Sequence, residues 1–354
     1  MIPSLARRWF LLLIILGIVV AWFWPAALHW TRHVQPQIVM ALALFLSAWT
    51  LQSRRLYRAL VWPVPALWAL AISYGLLPAL AWWSGPLLPI ADFRIGLMIS
   101  ASVPCTLASA VLWTRMAGGD EATALLSTML STAMSWLATT AWLSLTTGSQ
   151  VAIDTAGMMR DLALILVLPV GIGQLARSAA PVARFADCFR RPIGVVSRLL
   201  ILVIMFRAAH DVSTRLGEES VVLGIVPVLQ TGAICLGVHL LALFGGVWSS
   251  RRLGFDRGTQ IAVGFSGSQK TLPVSLVLLD IYFPGYPLAV VPLLFYHAGQ
   301  LIVDTFIAES WAGARSQESG VRGQKSGVRS QGSQGSGVSG PLSEIPADSE
   351  GRAP

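Results

Sequence analysis

The chain has 354 residues, 55% apolar and only 12% charged, with a formal net charge of +8. Soluble domains carry about 25% charged residues, so a surface covered wholly by water is excluded and lipid is the expected solvent. The basic residues sit in short clusters between apolar segments, which excludes nucleic acid as the partner. Cys105, Cys188 and Cys235 are too far apart for a metal site or a disulfide framework. They read as small buried apolar residues.

Apolar segments recur as far as Ile307, and the predicted crossings are 9–27, 36–51, 59–79, 94–113, 121–145, 160–177, 193–209, 220–248, 258–279 and 287–307. Arg7 and Arg8 before the first run imitate a signal peptide. The run is nevertheless long enough to cross a bilayer, which takes about 20 residues. Trp22, Trp24 and Pro25 stand where a small-residue cleavage site belongs. Segment one is therefore read as a membrane helix.

Segment seven has a short apolar core, Leu199 to Phe206, between Arg198 and Arg207. Charge argues that it crosses. With ten crossings and a cytoplasmic N-terminus, fourteen arginines before the tail face inside, and Arg32, Arg94, Arg160, Arg207 and Arg215 face outside. Without crossing seven, Arg251, Arg252 and Arg257 would move outside, against the positive-inside rule. Both termini are thus expected in the cytoplasm of a cell bounded by a plasma or inner membrane.

Segments four and nine are interrupted. Segment four spans Arg94 to Arg115, about 31 Å at 1.5 Å per residue, and Pro104 lies at its middle with Thr106 and Ser109 close by. Proline removes a helical hydrogen bond and clashes with the preceding turn. Segment nine carries Gly264-Phe265-Ser266-Gly267-Ser268-Gln269-Lys270-Thr271-Leu272-Pro273 at mid-depth. Backbone that is not helical at that depth is tolerated only inside protein or beside a cavity. Helix breaks are expected at Pro104, Gly267 and Pro273. Thr106, Ser109, Ser266, Ser268, Gln269, Lys270 and Thr271 are the candidate solute- or ion-binding residues.

Each half of the chain holds five segments, about 9–145 and 160–307, and the broken one is fourth in each. An odd number per half sends the halves through the membrane in opposite directions. That is the pattern of an inverted-repeat transporter whose site lies where the broken helices meet. The expected fold is all-α, with ten membrane helices as two inverted five-helix repeats in residues 1–312. After Trp311 the composition turns to Gly, Ser, Gln and Arg, and Ser319-Gly320-Val321-Arg322 recurs as Ser326-Gly327-Val328-Arg329. Residues 313–354 lack the apolar mass to fold and are expected to be a disordered cytoplasmic tail.

Lys270 is the only lysine of the membrane region, and an ionisable residue at that depth is a functional candidate by default. Segments four, five and eight hold no acid to pair with it, and Asp304 falls near the cytoplasmic end of segment ten. Three roles compete: binding an anionic group of the solute, donating to the carbonyls freed by the breaks, or reaching a water-filled cavity. Thr123, Ser127, Ser131, Ser135 and Thr139 recur every fourth residue on one face of segment five. That face either lines the site or packs closely against another helix. His297, Gln300 and Asp304 share a face of segment ten, and Thr231, Cys235 and His239 one of segment eight. Hydrogen bonding between helices and packing, respectively, are the plainer explanations; a proton relay is the sharper one for segment ten.

The run Ser102-Val103-Pro104-Cys105-Thr106-Leu107-Ala108-Ser109-Ala110-Val111, with Trp113-Thr114-Arg115 and Ala117-Gly118-Gly119-Asp120-Glu121-Ala122 after it, resembles the bile acid:sodium symporter family in its SBF-like branch. Gly264 to Leu272 resembles that branch's second signature, and the likeness covers residues 5–310. It implies a core domain with crossed helices four and nine, a panel domain of segments one, two, six and seven, and alternating access between them. It also implies sodium sites beside the crossing. By position Ser109 and Gln269, and Thr128 with one residue inserted in the preceding loop, fall on sodium ligands, whereas Ala110 and Phe265 stand where an asparagine and a glutamate do so. A hard cation prefers charged oxygens, and the set carried over contains no carboxylate.

No Walker A sequence is present, so ATP is not the expected energy source. No G-x-S-x-G or H-E-x-x-H sequence points to an enzyme either. The expected function is secondary active transport of an organic anion or other small solute, with sodium as coupling ion and no cofactor. Two alternatives stay open: a sodium-independent or proton-coupled transporter or exporter in which Lys270 replaces a bound cation, and a channel or membrane sensor. The expected partners are the solute and the lipid bilayer, and nothing in the sequence sets an oligomeric state.

Overall fold

The computed structural model describes residues 23–51, 56–107, 109–148, 153–219 and 224–332, with five isolated positions before residue 23. Every regular element among them is a helix. Of the predicted segment 9–27, residues 9–12, 14, 15, 18, 21 and 22 lie outside the described residues. A 3₁₀ helix, Pro25–His33, leads into α1 (Pro36–Trp49), which starts on a proline whose missing N–H is not needed in a first turn. α2 (Val64–Leu87) follows and carries a π-turn at Ile72–Leu76.

Two half-length helices follow, α3 (Ala91–Ser102) and α4 (Ser109–Met116). α5 (Glu121–Thr147) is capped by Asp120, which accepts from the N–H groups of Ala122 and Thr123. α6 (Thr155–Ala176), α7 (Arg190–Glu219) and α8 (Ile225–Arg252) are long. A second half-length pair is α9 (Arg257–Ser268), capped by Asp256, and α10 (Leu272–Tyr282). The last helix is α11 (Val290–Gly332).

These helices occupy predicted segments two to ten in order. Five stretches among the described residues are long and apolar enough to cross a membrane: Val64–Leu87, Thr155–Ala176, Arg190–His210, Ile225–Arg252 and Pro287–Gly313. α5 has 27 residues, ample length, but it carries the hydroxyl stripe. The half-length helices have 12, 8, 12 and 11 residues, too short to cross singly. α11 continues to Gly332, so the backbone of 313–332 is helical where composition predicts no element. Extending an existing helix adds one bond for each residue fixed and needs no new nucleus. Residues 333–354 lie outside the described residues.

α1 packs on α6 and α7, while α8, α5 and α2 surround α9. Phe93, Leu97 and Ile99 of α3, with Val103 just after it, join Val274 and Leu278 of α10 and Leu293 of α11 in the main apolar core. α9 approaches its neighbours so closely that a Cβ on Gly264 would lie 2.6 Å from Val247 and one on Gly267 2.7 Å from Ile72. Gly267 is therefore helical and serves close packing, not a break. Pro273 likewise sits in the first turn of α10, where proline is tolerated. The unwound residues of segment nine are Gln269, Lys270 and Thr271.

Candidate functional site

The two interruptions meet. The N–H of Thr271 donates to the carbonyl of Pro104 at 3.2 Å, and the Thr106 hydroxyl donates to the carbonyl of Lys270 at 3.1 Å. Ser109 Oγ donates to Gln269 Oε1 at 2.8 Å. Pro104, buried between α3 and α4, lacks an N–H and so cannot carry the helical ladder through. Its neighbours need other partners, because buried backbone groups left unpaired are costly.

Those partners are side chains from distant helices. At the α3–α4 break, the Ser102 carbonyl accepts from Thr139 Oγ1 at 2.7 Å, and the Cys105 N–H donates to Ser131 Oγ at 2.9 Å. Two members of the α5 stripe thus serve the break, while Ser127 bonds back to its own helix at Thr123. At the α9–α10 break, Gln300 clamps the Lys270 peptide: Oε1 accepts from its N–H at 3.0 Å, and Nε2 donates to its carbonyl at 2.7 Å. The Ser268 carbonyl accepts from Tyr296 Oη at 2.9 Å and faces His239 Nδ1 at 3.2 Å.

Lys270 is 2% exposed and its ammonium is fully committed. It donates to the Ser73 carbonyl at 2.8 Å, to Ser73 Oγ at 2.9 Å and to the Val103 carbonyl at 2.9 Å, the capacity of its three N–H groups. It also lies 4.7 Å from the centre of the Tyr74 ring. Ser73 belongs to the π-turn of α2, where the regular α ladder is interrupted. Of the three roles open to Lys270, this geometry matches donation to carbonyls at the breaks.

The three side chains carried over as sodium ligands make hydrogen bonds of their own. Ser109 and Gln269 bond each other, and Thr128 Oγ1 donates to Leu125 O at 2.9 Å on its own helix. Phe265 is wholly buried among Trp113, Leu243, Ile261 and Ala308, and Ala110 is wholly buried too. Ser266 is also buried, and its hydroxyl has no hydrogen-bond partner among the described residues. Ser268 Oγ turns back to Gly264 O at 2.9 Å.

The match to the family of SBF-like CPA transporters runs over residues 8–313, which is nearly the whole membrane region. The chain belongs to the SBF-like CPA transporter family. It is 24% identical over 338 residues to sodium/bile acid cotransporter 7 of Danio rerio, covering 90% of this chain and 98% of the relative. The Mus musculus protein of that name is 25% identical over 328 residues, 88% of this chain and 95% of the relative. The Xenopus laevis protein sodium/bile acid cotransporter 7-B is 25% identical over 331 residues, 89% and 95%. Membership in this family makes the chain a transporter and not an enzyme. With its five apolar helices it is a membrane protein.

Several residues at the family member's crossing carried weak signals in sequence. Gln300 and Asp304 stood out as a stripe, but their targets did not. Asp304, placed by sequence near the end of segment ten, is wholly buried: Oδ2 accepts from Gln269 Nε2 at 2.6 Å, and Oδ1 lies 2.8 Å from His239 Nε2. His239 looked like a packing residue. Ser73 carried no signal, since a lone serine in an apolar run is ordinary.

Proposed function

We propose that the chain is a secondary active transporter that moves a small organic solute, an anion by family resemblance, by alternating access. In this reading the membrane is the plasma or inner membrane, and both termini lie in the cytoplasm. Ten crossings form two inverted five-helix repeats, with α3/α4 and α9/α10 as the broken fourth members. The observation that carries the reading is the direct meeting of the breaks, Pro104 to Thr271 and Thr106 to Lys270. Unwound backbone at membrane depth is the hallmark of such a crossing.

The Lys270 ammonium acts there as a tethered cation, bridging Ser73 of α2 and Val103 of the first break. Transport is accordingly independent of sodium at this place, and Gln269 is a hydrogen-bonding amide, not an ion ligand. A small cavity of about 60 Å³ lies between α7, α10 and the start of α11, lined by Ile204, Leu276, Phe283 and Val290. The 3.3 Å Arg207–Asp280 ion pair stands in its wall.

Purified protein in liposomes tests the reading with a panel of organic anions that includes bile acids. Accumulation against a gradient, unchanged when choline replaces sodium, is the expected result. Downhill flux alone would indicate a channel. Accumulation only with a sodium gradient would overturn the tethered-cation role.

A further inference from the structure

The arginines at the two ends of α7 keep different company. Toward the C-terminal end, Arg207 pairs with Asp280 at 3.3 Å and donates to the Val34 carbonyl. Toward the N-terminal end, Arg190, Arg191 and Arg198 are exposed, and none of them enters an ion pair among the described residues. A short helix, Ala180–Cys188, in the connection between α6 and α7 adds Arg184, which is also exposed and unpaired. The one acid of that helix is already used. Asp187 accepts from Arg177 Nη2 at 2.9 and 3.1 Å, and Arg177 Nη1 donates to the Trp49 carbonyl at 2.8 Å. Four guanidiniums are thus left around this connection without a carboxylate to meet them.

The connection is also held at the membrane surface. It joins two helices long and apolar enough to cross, Thr155–Ala176 and Arg190–His210, so both its ends stay at one bilayer face. Phe185 stacks on Trp49 of α1, ring centres 5.9 Å and planes 19° apart, and lies 4.6 Å from the Phe189 ring. That stack and the Arg177–Asp187 pair fix which way the short helix turns. Val182, Phe185 and Phe189, spaced three and four residues apart, remain 36%, 52% and 45% exposed. Apolar side chains on a helix lying at the interface enter the boundary between headgroups and acyl chains. The arginines beside them therefore stand at the level of the lipid phosphates.

Room for a headgroup is present on α7 itself. Arg191 and Arg198 are seven residues apart, on one face, and Gly194 stands between them. A Cβ on Gly194 would meet nothing within 4 Å, so no neighbour fills the surface between the two side chains. Arg198 starts two turns deeper than Arg191. Helical side chains lean toward the N-terminus, and a long arginine reaches the interface from that depth. Both guanidiniums can thus converge on the notch over Gly194.

We propose that this notch binds the headgroup phosphate of an anionic phospholipid, gripped by Arg191 and Arg198, with Arg184 and Arg190 at its rim. A guanidinium presents paired N–H donors that match two phosphate oxygens. A zwitterionic headgroup brings its own ammonium and leaves the four arginines unneutralised; an anionic one supplies the missing charge. A free phosphate would meet the guanidiniums but leave Val182, Phe185 and Phe189 uncovered, whereas a lipid covers them with its chains. Each juxtamembrane arginine contributes about fivefold in affinity for an anionic lipid surface. The site does not depend on which solute moves or on what drives it. The basic cluster at the end of α8 differs, because Arg252 lies over the Trp248 ring at 5.2 Å and no interfacial helix adjoins it.

Native mass spectrometry of the full chain in detergent, offered phosphatidylglycerol and phosphatidylcholine in equal amounts, tests the site. The wild type should retain phosphatidylglycerol in preference. Arg191→Gln/Arg198→Gln should weaken that binding about 25-fold, fivefold for each arginine, and leave phosphatidylcholine unaffected. Arg251→Gln/Arg252→Gln removes the same charge at the end of α8 and should bind as the wild type does. No preference in the wild type, or unchanged binding in the α7 variant, overturns the proposal. So does an equal loss in both variants, which would mark a diffuse positive field. Displacement of the lipid by an equal concentration of inorganic phosphate would assign the notch to a soluble anion and also overturn it. A second measurement needs no substitution, because Cys188 is exposed while Cys105 and Cys235 are buried. A bimane on Cys188 of the chain in nanodiscs should be quenched more by nitroxide-labelled phosphatidylglycerol than by the same mole fraction of labelled phosphatidylcholine. Equal quenching overturns the site. Neither measurement involves solute or flux, so its failure and a failed transport assay are separate results.

Discussion

The α3–α4 break and the α9–α10 break face each other but are fastened by different chemistry. The first is served by neutral hydroxyls of α5, Ser131 and Thr139, and by a cation that belongs to the second. The second is served by an amide, a phenol and an imidazole, and it lies against a carboxylate. All the charge at the crossing thus comes from the second half of the chain. The first half supplies carbonyls and hydroxyls that receive it. The two broken helices are matched in place but not in role: one carries the ionisable groups, and the other completes their shell.

That asymmetry predicts where damage is greatest. Lys270→Met strands three acceptors, each costing about 1–3 kcal/mol if buried and unpaired, and should lower the melting temperature of the detergent-purified protein most while abolishing uptake. A Met variant as stable as the wild type would sink the claim that one ammonium joins the breaks. Gln300→Leu leaves the Lys270 N–H without its acceptor and weakens its carbonyl shell, an expected loss of about 1–3 kcal/mol.

Thr139→Val is nearly isosteric and frees the Ser102 carbonyl, so a loss of about 1 kcal/mol is expected. A larger loss than for Gln300→Leu in the same unfolding assay would reverse the comparison.

The smallest effect belongs to a helix start outside the crossing. Asp256 caps α9, and replacing a cap by alanine costs about 0.5–2 kcal/mol, typically at the low end for exposed caps. Burial works against its charged form, but the bonds from the Thr259 hydroxyl and the N–H groups of Thr259 and Gly258 outweigh it, so its carboxyl lies below the ordinary value. A carboxyl held low in the fold adds stability that is complete above the ordinary carboxylate range and fades as the pH falls through the lowered value. Melting curves of Asp256→Ala should therefore converge on the wild type in acid. A constant gap at all pH values would assign the cap's effect to something other than its charge.

The sequence by itself determined the helical class, the order of segments two to ten and the interruption at Pro104, because apolar runs, charge clusters and a missing N–H act on their own neighbourhood. It also marked Lys270, since a lone cation in an apolar segment demands partners wherever it lies. It misjudged Gly267 and Pro273 as breaks: a glycine can serve close packing and a proline can open a helix as readily as end one, and only the neighbouring helix decides. The tertiary structure alone chose Ser73 as acceptor for Lys270, paired His239 with Asp304, and turned Thr128 back on its own helix. The first two of those choices join residues 197 and 65 positions apart. They depend on which helix faces pack together, and no local periodicity encodes the identity of the atom across the interface.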